Sequence, residues 1–120
     1  MYGVPSDLDL SPFRRAILER IDLGQFILHL RFAADAEPTI SIEGDWELRG
    51  PDGGLIDRQM EPASRDAYRI HVLLGKTVES TEVRPPESFR LRFDSGHMLE
   101  VFDRSRQYES FSIRPGDIFV

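Results

Sequence analysis

Apolar residues recur along the chain at two spacings, and the changes of spacing mark the elements. Phe13, Ile17 and Ile21 stand at i, i+4 and i+8 with Ala16 beside them, while Arg14, Arg15, Glu19 and Arg20 take the other side. That period predicts a short amphipathic helix over 12–22. Ser11-Pro12 supplies its start and Gly24 its stop. From Gln25 to Phe32 the period falls to two, with Phe26, Leu28, Leu30 and Phe32 on one face and His29 and Arg31 on the other, which predicts a half-buried strand. Residues 33–38 form a polar turn. Thr39 to Arg49 alternates again through Ile40, Ile42, Trp46 and Leu48, so the two segments pair as a hairpin. Gly44 inside the second strand predicts a bulge or a close approach.

Gly50-Pro51-Asp52-Gly53-Gly54 is the strongest turn signal in the chain. Residues 55–63 read as irregular. Residues 65–74 fit a second helix between Ser64 and Gly75, although Tyr68, Ile70, Val72 and Leu74 also alternate as a strand would. Thr77 to Arg84 is β-branched and alternating, and Pro85-Pro86 ends it. Phe89, Leu91 and Phe93 define the next strand, with Leu99 and Val101 on its return. Asp94-Ser95-Gly96 makes the turn between them. Tyr108, Phe111 and Ile113 mark a further strand, and 118–120 a short last one.

The helix at 65–74 is favoured by a degenerate repeat. Residues 16–24 read A-φ-x-x-x-I-x-L-G, and residues 67–75 read A-φ-x-x-x-V-x-L-G. Leu28-His29-Leu30-Arg31-Phe32 likewise echoes Phe89-Arg90-Leu91-Arg92-Phe93. The expected architecture is therefore α+β and β-rich, a single domain over 1–120. It has two helix-hairpin pseudo-repeats, about 11–50 and 62–120, which form one curved antiparallel sheet or half-barrel with two short helices against it.

Composition narrows the function more than it defines it. The chain has 120 residues, enough to bury a core without staples, and no cysteine, which excludes disulfides and thiolate chemistry and fits a reducing cytoplasm. No apolar run reaches the length of a membrane span, and the first residues lack the pattern of a signal peptide. The net charge of −6 disfavours generic nucleic-acid binding. His29, His71 and His97 lie far apart and show no metal-ligand spacing. The serines lie in no nucleophile turn. Gly75-Lys76-Thr77 lacks the upstream glycine of a phosphate loop. No catalytic residue, metal or cofactor is expected.

Two sets of residues remain as binding candidates. Arg31, Arg90 and Arg92 alternate with core positions, so a polar sheet face could hold an anion, or these arginines could simply pair with facing acids such as Glu43 and Glu100. Trp46 and Tyr108, each followed by glutamate, end the two hairpins, as core pieces or as interface anchors.

The run from Leu74-Gly75-Lys76-Thr77-Val78 through Phe89-Arg90-Leu91-Arg92-Phe93-Asp94-Ser95-Gly96-His97-Met98-Leu99-Glu100-Val101 to Tyr108-Glu109-Ser110-Phe111 resembles a family of small bacterial domains of unknown function. Their pattern is roughly L-G-x-x-V, then L-x-L-x-F-x-D-G-x-x-L-x-V, then Y-E-[SA]-W. Phe111 stands where that family often has tryptophan, and Arg104-Ser105-Arg106-Gln107 is longer than in the pattern. Some relatives of this appearance are immunity-like proteins of bacterial toxin systems. The resemblance implies a non-catalytic protein-interaction domain, monomeric or homodimeric. A small anionic-ligand-binding domain is the alternative that the arginines offer.

Overall fold

A computed structural model describes residues 3–104, 110–114 and 118–119. Among them the chain forms β1 (Ile17–Leu23), β2 (Leu28–Ala33), β3 (Thr39–Ile42), β4 (Trp46–Arg49), β5 (Leu55–Arg58), β6 (Val78–Arg84), β7 (Ser88–Phe93), β8 (Met98–Phe102), β9 (Phe111–Arg114) and β10 (Ile118–Phe119). The helical pieces are three single 3-10 turns, Ser11–Phe13, Pro62–Ser64 and Ile70–Leu73. The strands make two antiparallel sheets, ordered β1-β2-β3-β9-β10 and β5-β4-β8-β7-β6, with no closed barrel. The expected α+β architecture, with helix-hairpins on one curved sheet, is overturned. The molecule is nearly all β, and its two sheets enclose one core. Leu18, Leu30, Phe32, Ile40 and Phe111 come from the first sheet, and Leu48, Val78, Phe89, Leu91 and Leu99 from the second.

The helix expected over 12–22 fails at two residues. Pro12 starts a turn, but Arg14 is already extended and Arg15 takes a left-handed φ of 64°. A helix cannot pass through that conformation. From Ile17 onward burial first alternates in twos, Ile17 exposed and Leu18 buried, until a bulge between Leu18 and Arg20 resets the register. The spacing of Phe13, Ile17 and Ile21 by fours was thus not a helix face. The helix expected over 65–74 shrinks to Ile70–Leu73 for the same reason, with Leu74 extended and Gly75 at φ +82°. The strand expected over Thr39–Arg49 is two strands in different sheets. Gly44 lies at the switch, where a Cβ would come within 3.2 Å of Ser110. Residues 55–58, expected to be irregular, are β5, paired with β4.

The two sheets follow one plan. Each begins with a 3-10 turn, then a strand carrying a bulge near its start, between Leu18 and Arg20 in β1 and between Val78 and Ser80 in β6. Two further strands complete a meander in each sheet. Leu30 faces Ile40 in one, and Leu91 faces Leu99 in the other. The chain then crosses over. β4 adds to β8 of the second sheet, and β9 adds to β3 of the first. The halves meet at a bridge between Ile17 and Thr77. Around it Arg15 N–H bonds Val78 C=O while Gly75 N–H bonds Leu18 C=O, both at 2.8 Å. Likewise Leu18 N–H bonds Lys76 C=O, and Val78 N–H bonds Ala16 C=O. Exchanging the halves at a shift of sixty residues maps each of these bonds onto another, so Arg15 corresponds to Gly75 and Leu18 to Val78. The match of 16–24 with 67–75 therefore equated a strand with a loop and a 3-10 turn, and does not hold.

Candidate functional site

The three arginines read as one anion face do not converge. Arg31 lies on β2 in the first sheet, and Arg90 and Arg92 lie on β7 in the second. Arg90 Nε stands 3.2 Å from Glu100 Oε1 and its Nη1 3.7 Å from Glu82, a charge contact whose geometry is not that of a hydrogen bond. Glu100 is buried and also accepts from Ser88 Oγ at 2.6 Å, with Arg84 at 3.5 Å. Arg90 is thus committed to cross-strand pairing. Arg31 and Arg92 are exposed on their separate sheets. Tyr108 lies outside the described residues. Of the four candidates among the described residues, Trp46 lines the cleft described next, and Arg31, Arg90 and Arg92 do not.

That cavity is a cleft of about 880 Å³. One wall is the β1–β2 hairpin tip, Leu23 to Leu28, which turns tightly by Gly24 N–H to Ile27 C=O. The floor is the β3–β4 switch, with Ile42, Glu43, Gly44 and Trp46. The far wall is the segment after β5, which contributes Gln59, Met60, Glu61, Ala63, Arg65 and Tyr68. Two large apolar side chains stand open on the hairpin wall, Phe26 at 77% exposure and Leu23 at 50%. Exposing two such groups beside a concavity costs hydrophobic free energy that folding alone does not recover.

Arg65 fixes the far wall. Its Nη1 is 2.7 Å from Asp57 Oδ1, and both side chains are almost wholly buried. Nη1 and Nη2 also donate to the carbonyls of Ala67 and Arg58. The guanidinium lies 4.0 Å from the centre of the Tyr68 ring and 5.8 Å from that of Trp46. Its Nε is enclosed and has no acceptor. Asp57 in turn accepts from Arg69 N–H at 2.7 Å and Ile70 N–H at 3.0 Å, satisfying free donors at the start of the 3-10 turn Ile70–Leu73. The charge of Arg65 is therefore spent on Asp57, and among the described residues lining the cleft the ionised side chains left to face solvent are Glu43 and Glu61. This makes the site apolar and acid-rimmed. The sequence carried one trace of it: Asp57 sits between apolar Ile56 and a basic neighbour in a segment too short to show its period.

The remaining polar chemistry is dispersed. On the outer face of the first sheet Asp22, His29 and Ser41 lie side by side on β1, β2 and β3, with His29 Nδ1 2.7 Å from Ser41 Oγ. Asp22 is bonded instead to Arg20 Nε at 2.8 Å. That bond holds its carboxyl below the ordinary aspartate range, and the charges of Arg20, His29 and Arg31 add to the effect. The row lies on an open sheet face, away from the cleft, which is lined by no histidine. His97 bonds Ser95 within its own turn, and His71 bonds Tyr68 C=O. Among the described residues no three potential metal ligands come together, and no helix is long and apolar enough to cross a membrane.

Neither a curated protein nor a solved structure matches the chain. One family model does, over residues 10–117, a span that takes in every described strand from β1 to β9. The chain belongs to that family, a family of unknown function (DUF6188).

Proposed function

We propose that this protein is a non-catalytic binding domain that receives a protein partner in the cleft between the β1–β2 hairpin tip and the segment 59–68. The observation that carries this reading is the pair of open apolar side chains, Leu23 and Phe26, standing over an apolar concavity. Apolar anchors around a desolvated pocket, with a polar rim, are what protein interfaces use to gain affinity. The scattered placement of Arg31, Arg90 and Arg92 argues against the anion-binding alternative, since an anion needs donors that converge. The immunity-like role remains one biological form this binding could take.

Capture from native lysate tests the reading when variants are compared. Wild-type protein and the outer-face variant Arg92→Ser should retain the same stoichiometric partner. Phe26→Ser and Ala63→Trp, one removing an anchor and the other filling the cleft, should lose it. Retention by both cleft variants with loss by Arg92→Ser would move the site to the outer sheet face and refute the proposal.

A further inference from the structure

The two halves use one plan, and one difference between them bears on the cleft. The segment leading into the 3-10 turn Ser11–Phe13 of the first half is bonded to the tip of the β6–β7 hairpin of the second. Val4 N–H bonds Pro86 C=O at 2.8 Å, Gly3 N–H bonds the Asp103 carboxylate, and Val4 is buried in the core. The corresponding segment of the second half leads into Ile70–Leu73, and the corresponding hairpin tip, in the first half, is at Gln25 and Phe26. There, among the described residues, no hydrogen bond joins residues 59–68 to residues 23–28. The cleft lies in that gap, between the counterparts of Pro86 and Asp103, which are Phe26 and the switch at Gly44.

From this asymmetry we infer that the cleft takes an extended apolar peptide segment with basic flanks, laid against the β1–β2 hairpin tip as residues 3–4 lie against the other tip. The inference rests on the proposed function and names its occupant. Three observations support it. Main chain against a hairpin tip is a contact this fold already makes. The rim charges among the described residues, Glu43 and Glu61, are both acidic, and Asp57 cancels Arg65, so lysine or arginine beside the apolar residues gains and a carboxylate loses. Leu23 stands half exposed and Phe26 open, whereas Val83, the counterpart of Leu23, is half-buried against the core.

The test selects a random dodecapeptide phage library on the full-length protein, and measures the enriched peptides by fluorescence anisotropy. The expected peptides carry two or more apolar residues flanked by lysine or arginine. Their binding should weaken by roughly tenfold or more on Ala63→Trp and on Phe26→Ser. It should weaken several-fold on the double change Glu43→Gln with Glu61→Gln, and it should fall with added salt. Circular dichroism and the thermal midpoint show that each variant is folded, and the two cleft variants stand in for each other if one is not. Acidic peptides, or peptides indifferent to both cleft variants, would overturn the inference. So would an empty selection, or saturable quenching of Trp46 by decanoate with no peptide bound. If the lysate partner is still captured and still lost on both cleft variants, the failure belongs to the peptide inference alone. If that capture fails as well, the proposed function fails with it.

Discussion

Three residues show how local conformation and buried charge decide this fold. Gly75 and Arg15 occupy corresponding left-handed positions, and a Cβ at Gly75 would meet nothing within 4 Å. The cost of Gly75→Ala is therefore conformational, about 1 kcal/mol, read as a thermal midpoint lowered by roughly 3–6 °C. Arg15→Gly should shift the midpoint the other way by a smaller amount, because the glycine also loosens the unfolded chain. Asp57 is a different case. It is buried against Arg65 and caps two backbone donors, so Asp57→Ala leaves a buried cation and orphaned N–H groups. A loss of about 3–5 kcal/mol in denaturant unfolding is expected, with Asp57→Asn less severe because it keeps an acceptor. At Asp22 the sign runs with a depressed carboxyl. Its contribution is present above the unfolded value near pH 4, and is lost as pH falls through the folded value. An NMR titration should find that carboxyl returning towards its ordinary range in Arg20→Ala.

Elements were legible where the period was long enough to repeat. β2, β6, β7 and β8 lie close to where alternation put them, and the Asp94-Ser95-Gly96 turn is set by Gly96 at φ +91°. Misreading began where sheets change. Ile17 and Ile21 mimic a helix face because the bulge after Leu18 shifts the alternation by one residue. Thr39–Arg49 alternates as one strand would, but Gly44 lets the chain leave one sheet for the other, which no period reports. The cleft was legible only at Trp46. Its far wall is positioned by Asp57 and Arg65, a pairing between loop and strand that has no spacing rule. These differences predict an exchange pattern. Amides of β8, central in its sheet and buried along its length, should be the slowest in native-state hydrogen exchange, and those at 24–27 and 59–63 among the fastest. Protection of the two cleft walls equal to that of β8 would show that the cleft is closed in solution.

At the scale of the whole molecule the crossover of β4 and β9 matters most. Each half contributes strands to both sheets, so neither sheet is complete without both halves. One core and exchanged strands predict a single cooperative transition. Trp46 fluorescence, which reports β4 in the second sheet, should coincide with far-ultraviolet circular dichroism through denaturant unfolding. Two separated transitions would mean that the halves are independent. Among the described residues the same plan leaves one hairpin tip hydrogen-bonded to the segment before a 3-10 turn and the other unbonded, and the acidic chain presents an apolar, acid-rimmed cleft at the unbonded one. The most direct measurement of that claim is a hydrogen-exchange footprint of the captured complex against the free protein. Slowed exchange confined to residues 23–28, 42–46 and 59–68 is the predicted result. Slowed exchange in β2 and β7, which bear Arg31, Arg90 and Arg92 on their outer faces, with the cleft unchanged, would contradict it.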